Sequence, residues 1–139
     1  MGLAVQVNTD GGARGNPGPA AIGVVVREAG TSSMDVLTEI SRTIGETTNN
    51  VAEYSAVIAG LEAAADLGAD SVRLASDSEL LVKQLQGAYR VKAAHLVPLY
   101  RRCRELLRGF DSVEIVHVRR ELNVEADALV NQALDASLM

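Results

Sequence analysis

Residues 5–26 read VQVNTDGGARGNPGPAAIGVVV. Val5, Val7 and Thr9 alternate with Gln6, Asn8 and Asp10, the period of a strand with one buried face. The chain then passes through Gly11-Gly12 and Gly15-Asn16-Pro17-Gly18-Pro19 and leaves as the apolar run 22–26. A glycine loop that cradles a dinucleotide must lead from a strand into a helix. Here two prolines and a valine-rich run follow instead, so the pattern predicts a second strand. Asp10 thus stands at a strand end beside backbone that glycine leaves free to approach a ligand. The competing interpretation is a decorated hairpin in which Asp10 only starts the bend.

Outward from this hairpin, residues 36–44 predict a third strand, and three strands on short connections predict an antiparallel meander. Residues 45–50 break the pattern. Tyr54, Val57, Ile58, Leu61 and Ala65 then recur at helical spacing, which predicts a helix over 51–67 with Gly68 as its C-cap. Residues 71–75 predict a fourth strand, 78–86 a short helix, and 87–94 a connector. Pro98 suits the first turn of a helix that ends near Gly109 and carries Tyr100, Cys103 and Leu107. Residues 113–118 predict a fifth strand, and 123–138 a final helix with Leu129, Ala133 and Leu134 on one face. Three strands, a helix, a strand, one or two helices, a strand and a helix describe an α/β protein with a mixed sheet and helices on its faces. Neither a repeat nor a linker divides residues 1–139, so a single domain is expected.

Composition narrows the chemistry. With 47% hydrophobic residues, 139 residues suffice for a real core. The net charge of −5 does not advertise a nucleic-acid binder, but it suits a site that gathers carboxylates around metal ions. One cysteine, Cys103, excludes an intramolecular disulfide and, with only His95 and His117 beside it, disfavours structural zinc; a core thiol is expected. No apolar run is long enough to span a bilayer, so a reducing cytoplasm is expected and no membrane partner.

Four acids occupy comparable places: Asp10 ending the first strand, Glu53 early in the long helix, Asp77 after the fourth strand, and Asp127 in the last helix. Each has a local alternative. Glu53 fits a capping box with Asn50, Asp77 fits an N-cap, and Asp127 fits an exposed helical charge like Glu125. Yet the apolar flanks of Asp77 and Asp127 would turn both toward the protein body. Converging carboxylates repel unless cations neutralise them, and hard oxygen ligands select magnesium or manganese over zinc.

These residues carry a family resemblance over nearly the whole chain, about 5–133. Thr9-Asp10-Gly11-Gly12 with Gly15-Asn16-Pro17-Gly18-Pro19, Thr48-Asn49-Asn50 with Ala52-Glu53, Ser76-Asp77-Ser78, and Asn123 with Ala126-Asp127 together resemble type 1 ribonuclease H. The resemblance implies a ribonuclease H-like fold: a five-stranded mixed sheet, three strands antiparallel and then two parallel, with helices on both faces. It implies an endonuclease that hydrolyses the RNA strand of RNA–DNA hybrids, leaving 3′-hydroxyl and 5′-phosphate ends. Asp10, Glu53, Asp77 and Asp127 would be catalytic and would hold two Mg2+, or Mn2+. Gly11, Gly12, Asn16, Thr48, Asn49, Asn50 and Ser78 would meet the substrate. Two other functions stay open on the same fold: a nuclease that cuts double-stranded RNA, and a binding module without catalysis. A monomer is expected, and the resemblance admits a fused C-terminal domain in a longer natural protein.

Two departures stand out. The lysine-rich protrusion of many relatives is reduced here to residues 87–94, with Arg90 and Lys92. Arg101, Arg102 and Arg104 are expected on a solvated helix face. The catalytic-loop histidine of longer relatives is also missing: the connection is Arg119-Arg120-Glu121-Leu122, and His117 falls within the strand pattern. Arg119, Arg120 or Glu121 is expected to take part of that role, most simply as a cation near the departing phosphate.

Overall fold

The valine-rich opening folds as a hairpin at the centre of the sheet. The computed structural model describes residues 2–30 and 35–138. β1 (Leu3–Ala13) pairs antiparallel with β2 (Gly18–Glu28), and β2 pairs antiparallel with β3 (Val36–Thr47). On its other edge β1 runs parallel to β4 (Ala69–Ser76), and β4 runs parallel to β5 (Ser112–His117). The strand order is β3-β2-β1-β4-β5, and the sheet is the expected mixed one, three antiparallel strands followed by two parallel. β2 and β3 run longer than their alternation predicts. Gly18-Pro19-Ala20-Ala21 offers little inside–outside contrast, yet the ladder continues through Gly18 opposite Thr47.

α1 (Asn49–Asp66) begins two residues before the predicted start, because Thr48 Oγ1 accepts the Val51 N–H at 3.3 Å and caps the helix. Ala52, Ala56 and Gly60 let α1 lie close on the sheet; a Cβ at Gly60 would stand 2.7 Å from Val7 Cγ1. α2 (Glu79–Leu85) and α3 (Val97–Leu107) follow β4, with a 3-10 turn at Ala94–Leu96 between them. α4 (Val124–Ala136) ends the fold.

The main core lies on the α1 face of the sheet, where Val5, Val7, Ile22, Val24 and Val26 meet Tyr54, Val57, Leu61, Leu81 and Leu85. Cys103 is fully buried there, and burial pushes its thiol up to about 12, the inert core thiol expected. The opposite face is covered by α4 through Ala21, Val130, Ala133 and Leu134. Helices therefore cover both faces. Ala133 and Leu134 of α4 are buried as predicted and Ala126 and Val130 join them, whereas Leu129 is only half-buried.

A buried hydrogen bond of 2.6 Å from Tyr54 Oη to Gln84 Oε1 fastens α1 to α2. Tyr54→Phe would leave the Gln84 carbonyl buried without this partner, which costs about 1–3 kcal/mol. A lower melting temperature with unchanged far-ultraviolet circular dichroism is the expected outcome.

Candidate active site

Each of the four acids is delivered by a different element. Thr9 is paired with Ser76 at the end of the parallel ladder, so the next residues, Asp10 and Asp77, stand side by side. β4 ends at Ser76, whereas β1 runs on to Ala13 in its ladder with β2, so Asp10 lies within its strand rather than at the expected end. Gly11 brings Glu53 to them. A Cβ there would lie 2.2 Å from Ala52 O and 2.6 Å from Glu53 N, a contact that only a glycine permits. Gly23, directly opposite Asp10 on β2, does the same for α4: a Cβ would lie 2.1 Å from Ala126 O, one residue before Asp127. Sequence reading did not single out Gly23. Its signal was a glycine inside the apolar run 22–26, where glycine marks a close backbone approach.

The local alternatives for these acids do not hold. Ser78, not Asp77, caps α2, its Oγ accepting the Leu81 N–H at 3.4 Å. Thr48, not Asn50, caps α1, so Asn50 and Glu53 do not make a capping box. Asp127 is half-buried, while Glu125 is exposed and pairs with Arg27.

Asp10, Glu53, Asp77 and Asp127 together line an open cleft of about 400 Å3. Burial, then the charge of Asp77, then Asp127 and Glu53 push the Asp10 carboxyl up to about 8. Burial chiefly raises Glu53 as well, with Asp77 adding to the shift and a Ser78 hydrogen bond opposing it. Of the two arginines on the cleft, Arg14 is tied to Asp135 at 2.7 Å. The negative charge is therefore poorly compensated from within, the condition under which divalent cations bind. Among the described residues no three His, Cys, Asp or Glu side chains close into a ligand cage. An open carboxylate set fits Mg2+, which keeps waters and shares ligands with a substrate phosphate.

Gly11, Gly12, Asn49, Ser78 and Arg120 also line the cleft. Asn16 is exposed on the hairpin, and its Oδ1 accepts the Asn49 N–H at 3.1 Å. Asn49 Oδ1 in turn accepts the Ala13 N–H at 2.8 Å. Asn50 is exposed on the first turn of α1, outside the lining. Arg119 and Glu121 flank Arg120 but do not line the cleft, and Glu121 faces a separate groove with Asn8 and Asn123. His117 ends β5, exposed, with Nε2 3.3 Å from the Asp77 carbonyl oxygen.

Three residues of the site escaped sequence reading. Arg14 and Asn131 line the cleft, and Asn131 Nδ2 lies 3.5 Å from Asp127 Oδ2, one helical turn away. That i,i+4 spacing was the available signal. Asn123, 1% exposed, belongs to the last of the four motifs but has no chemistry legible from the sequence. Its Nδ2 donates to Thr9 O at 3.0 Å and its Oδ1 accepts from Asn8 Nδ2 at 3.0 Å. It locks the strand that carries Asp10 to the start of the helix that carries Asp127.

Comparison with known proteins agrees with this geometry. Residues 8–133 match a family described as reverse transcriptase-like. The chain is 49% identical over 134 residues to ribonuclease HI of Halobacterium salinarum, covering 96% of this chain and 66% of that protein. It is 44% identical over 135 residues to a bifunctional protein of Mycobacterium tuberculosis, of which it spans 36%. The crystal structure of the Halobacterium salinarum RNase H1 superposes with a TM-score of 0.91 at 49% identity, covering 96% of this chain and 98% of that one. An RNase H1 isolated from compost, crystallised with an RNA/DNA hybrid, superposes with a TM-score of 0.88 at 43% identity over 97% and 99% of the two chains. With the four-carboxylate cleft set on this sheet, the chain belongs to the reverse transcriptase-like family and, within it, to type 1 ribonuclease H.

Proposed function

We propose that this protein is an endoribonuclease that hydrolyses the RNA strand of RNA–DNA hybrids. The observation that carries the proposal is the convergence of Asp10, Glu53, Asp77 and Asp127, from four elements, on one open cleft. The hybrid-bound compost relative supports the choice of substrate. The four carboxylates would hold two divalent ions, Mg2+ or Mn2+, which when bound activate a water and stabilise the leaving oxygen, giving 3′-hydroxyl and 5′-phosphate ends. A binding module would have no use for a cluster of carboxylates in which burial first, and neighbouring charge second, raises Asp10 and Glu53.

The rest of the cleft positions the substrate. Asn16 and Asn49 use their carbonyl oxygens inside the protein, so their amide N–H groups serve as donors toward sugar and phosphate. Ser78 adds a polar group on the cleft, Thr48 and Asn50 flank Asn49 at the start of α1, and Gly11 and Gly12 offer backbone on the cleft to the RNA strand. Selectivity follows from 2′-hydroxyls and helix shape rather than base sequence. That Arg120 is the loop residue on the cleft supports reading it as the cation near the departing phosphate.

Cleavage of end-labelled hybrid in Mg2+, Mn2+ or EDTA tests the proposal, with duplex RNA, single-stranded RNA and duplex DNA alongside. Metal-dependent cutting of the hybrid RNA is expected. Preferential cutting of duplex RNA, or no cutting by folded protein with either metal, would sink it. Within the same assay Arg120→Ala is expected to lower turnover about tenfold or more, and Glu121→Ala to leave it unchanged. Equal rates for Arg120→Ala and wild type would remove Arg120 from the mechanism.

A further inference from the structure

Asp127, Asn131 and Asp135 recur at four-residue spacing, so their side chains follow one another along one stripe of α4. Arg14 reaches this stripe from the turn between β1 and β2. Its backbone is fixed: the Arg14 N–H donates to Pro19 O at 2.9 Å, and a Cβ at Gly18 would stand 2.1 Å from Arg14 O. Its Nη2 carries two N–H bonds and meets two acceptors on α4, Asp135 Oδ1 at 2.7 Å and Asn131 Oδ1 at 3.4 Å. Asn131 Nδ2 in turn lies 3.2 Å from Asp127 O and 3.5 Å from Asp127 Oδ2. The run of contacts from Asp135 through Arg14 and Asn131 therefore ends on a carboxylate of the cleft.

Charge fixes which way the Asn131 amide points. With Oδ1 toward the guanidinium and Nδ2 toward the carboxylate, both contacts are attractive. The flipped amide would set its oxygen against Asp127 and its N–H groups against Arg14. Asn131 and Arg14 are both exposed, so packing does not hold either side chain; their partners do. The Arg14–Asp135 pair is open to solvent and adds little to stability. Its consequence is orientation. Glu53 is steadied by a hydrogen bond with Ser78, and Asn131 is the corresponding donor for Asp127.

We propose that Asn131 is a positioning residue for Asp127, and that Arg14, held by Asp135, acts on that carboxylate through Asn131 rather than on the substrate directly. The proposal rests on the hydrolytic reading of the cleft and deepens it. The hairpin is tied to α1 through Asn49, which bonds both Ala13 and Asn16, and to α4 through Arg14. One frame thus sets both the amides that face the substrate and the carboxylate that would face the metal. A partner that orients a metal-binding carboxylate governs how tightly the ion is held, and its loss typically costs about tenfold or more. An arginine placed on a substrate phosphate would instead govern how tightly the hybrid binds.

Mg2+ binding without substrate is read from the rise in melting temperature across a Mg2+ titration, and kcat and KM from hybrid cleavage in saturating Mg2+. Asn131→Ala is expected to raise the Mg2+ midpoint about tenfold and to lower kcat, with KM for hybrid within about twofold of wild type. Arg14→Met is expected to raise the same midpoint about threefold, and Asp135→Asn to move it in the same direction by less. The double variant Asn131→Ala/Arg14→Met should match Asn131→Ala, because Arg14 has nothing left to act through; independent roles would multiply to about thirtyfold. Melting temperatures in EDTA should stay within about 2 °C of wild type, which separates positioning from a merely structural role. An unchanged Mg2+ midpoint in Asn131→Ala, a multiplied effect in the double variant, or a raised KM as the main effect of Arg14→Met would each overturn the proposal. Wild type that is stabilised by Mg2+ but cuts no hybrid would refute the hydrolytic function and leave the midpoints to decide the positioning role. Wild type that Mg2+ does not stabilise at all would overturn both.

Discussion

Asp10→Asn is expected to abolish hybrid cleavage, by roughly a thousandfold or more, and also to stabilise the metal-free protein at pH 8. Both effects have one cause. Asp10 is held among Asp77, Asp127 and Glu53, and burial with these charges pushes its carboxyl up to about 8. An unfolded aspartate titrates near 3.9. Between about pH 4 and pH 8 the native protein therefore holds more protons than the unfolded chain, so its stability falls as pH rises through that window and levels above it. Glu53, raised in the same direction, adds to the fall. Asp10 is only half-buried, so solvent screening discounts the effect to about 1–2 kcal/mol, roughly 3–8 °C in melting temperature.

The measurement is a series of melts in EDTA from pH 5 to pH 9, repeated with Mg2+. Wild type should lose stability as pH rises and regain it on adding Mg2+. Asp10→Asn should show a flatter profile and a smaller response to Mg2+. A wild-type melting temperature that rises from pH 5 to pH 8 in EDTA would contradict the electrostatic account of the cleft. The amide is close to isosteric with the carboxylate, so lost cleavage with a preserved fold would locate the defect in the chemistry rather than in packing.

Gly23→Ala is expected to have the next largest effect, although Gly23 does not line the cleft. The new Cβ would lie 2.1 Å from Ala126 O and 3.0 Å from Val130 N. Neither is the tip of a flexible side chain, so α4 must move away from β2. Such overpacking costs about 1–3 kcal/mol. The displaced helix carries Asp127, and a shift of about 1 Å at a reacting centre can cost a hundredfold in rate. Asn123, bonded to both Thr9 O and Asn8, would be strained by the same movement. A folded protein with a lower melting temperature, a roughly hundredfold slower cleavage rate and a higher Mg2+ requirement is expected. Full activity in a folded Gly23→Ala protein would show that the glycine does not set the position of Asp127.

Much of this was legible beforehand. Alternation through Val5, Val7 and Thr9 defined β1 and its buried face, and the prolines after Gly15 excluded a nucleotide-binding loop. The order of elements limited the sheet to a mixed one, and the four short motifs marked the acids. These features are local: strand period, helix period and turn chemistry depend on neighbours along the chain, so the chain itself displays them. The ends of β2 and β3 and the buried face of α4 were less legible, because small residues carry little periodic contrast and ladder pairing or helix docking decides the outcome.

The amino-acid sequence by itself determined which elements form, in what order, and which four carboxylates were the candidates. Only the tertiary structure decided that Ser78 and Thr48 do the capping, which frees Asp77 and Glu53 from that task. It decided that Arg120, and neither Arg119 nor Glu121, lines the cleft, and that Arg14 and Asn131 join it. The physical reason is the same in each case. Convergence of charge, and the close backbone approach that glycine permits at Gly11 and Gly23, are properties of distances between residues far apart in the chain.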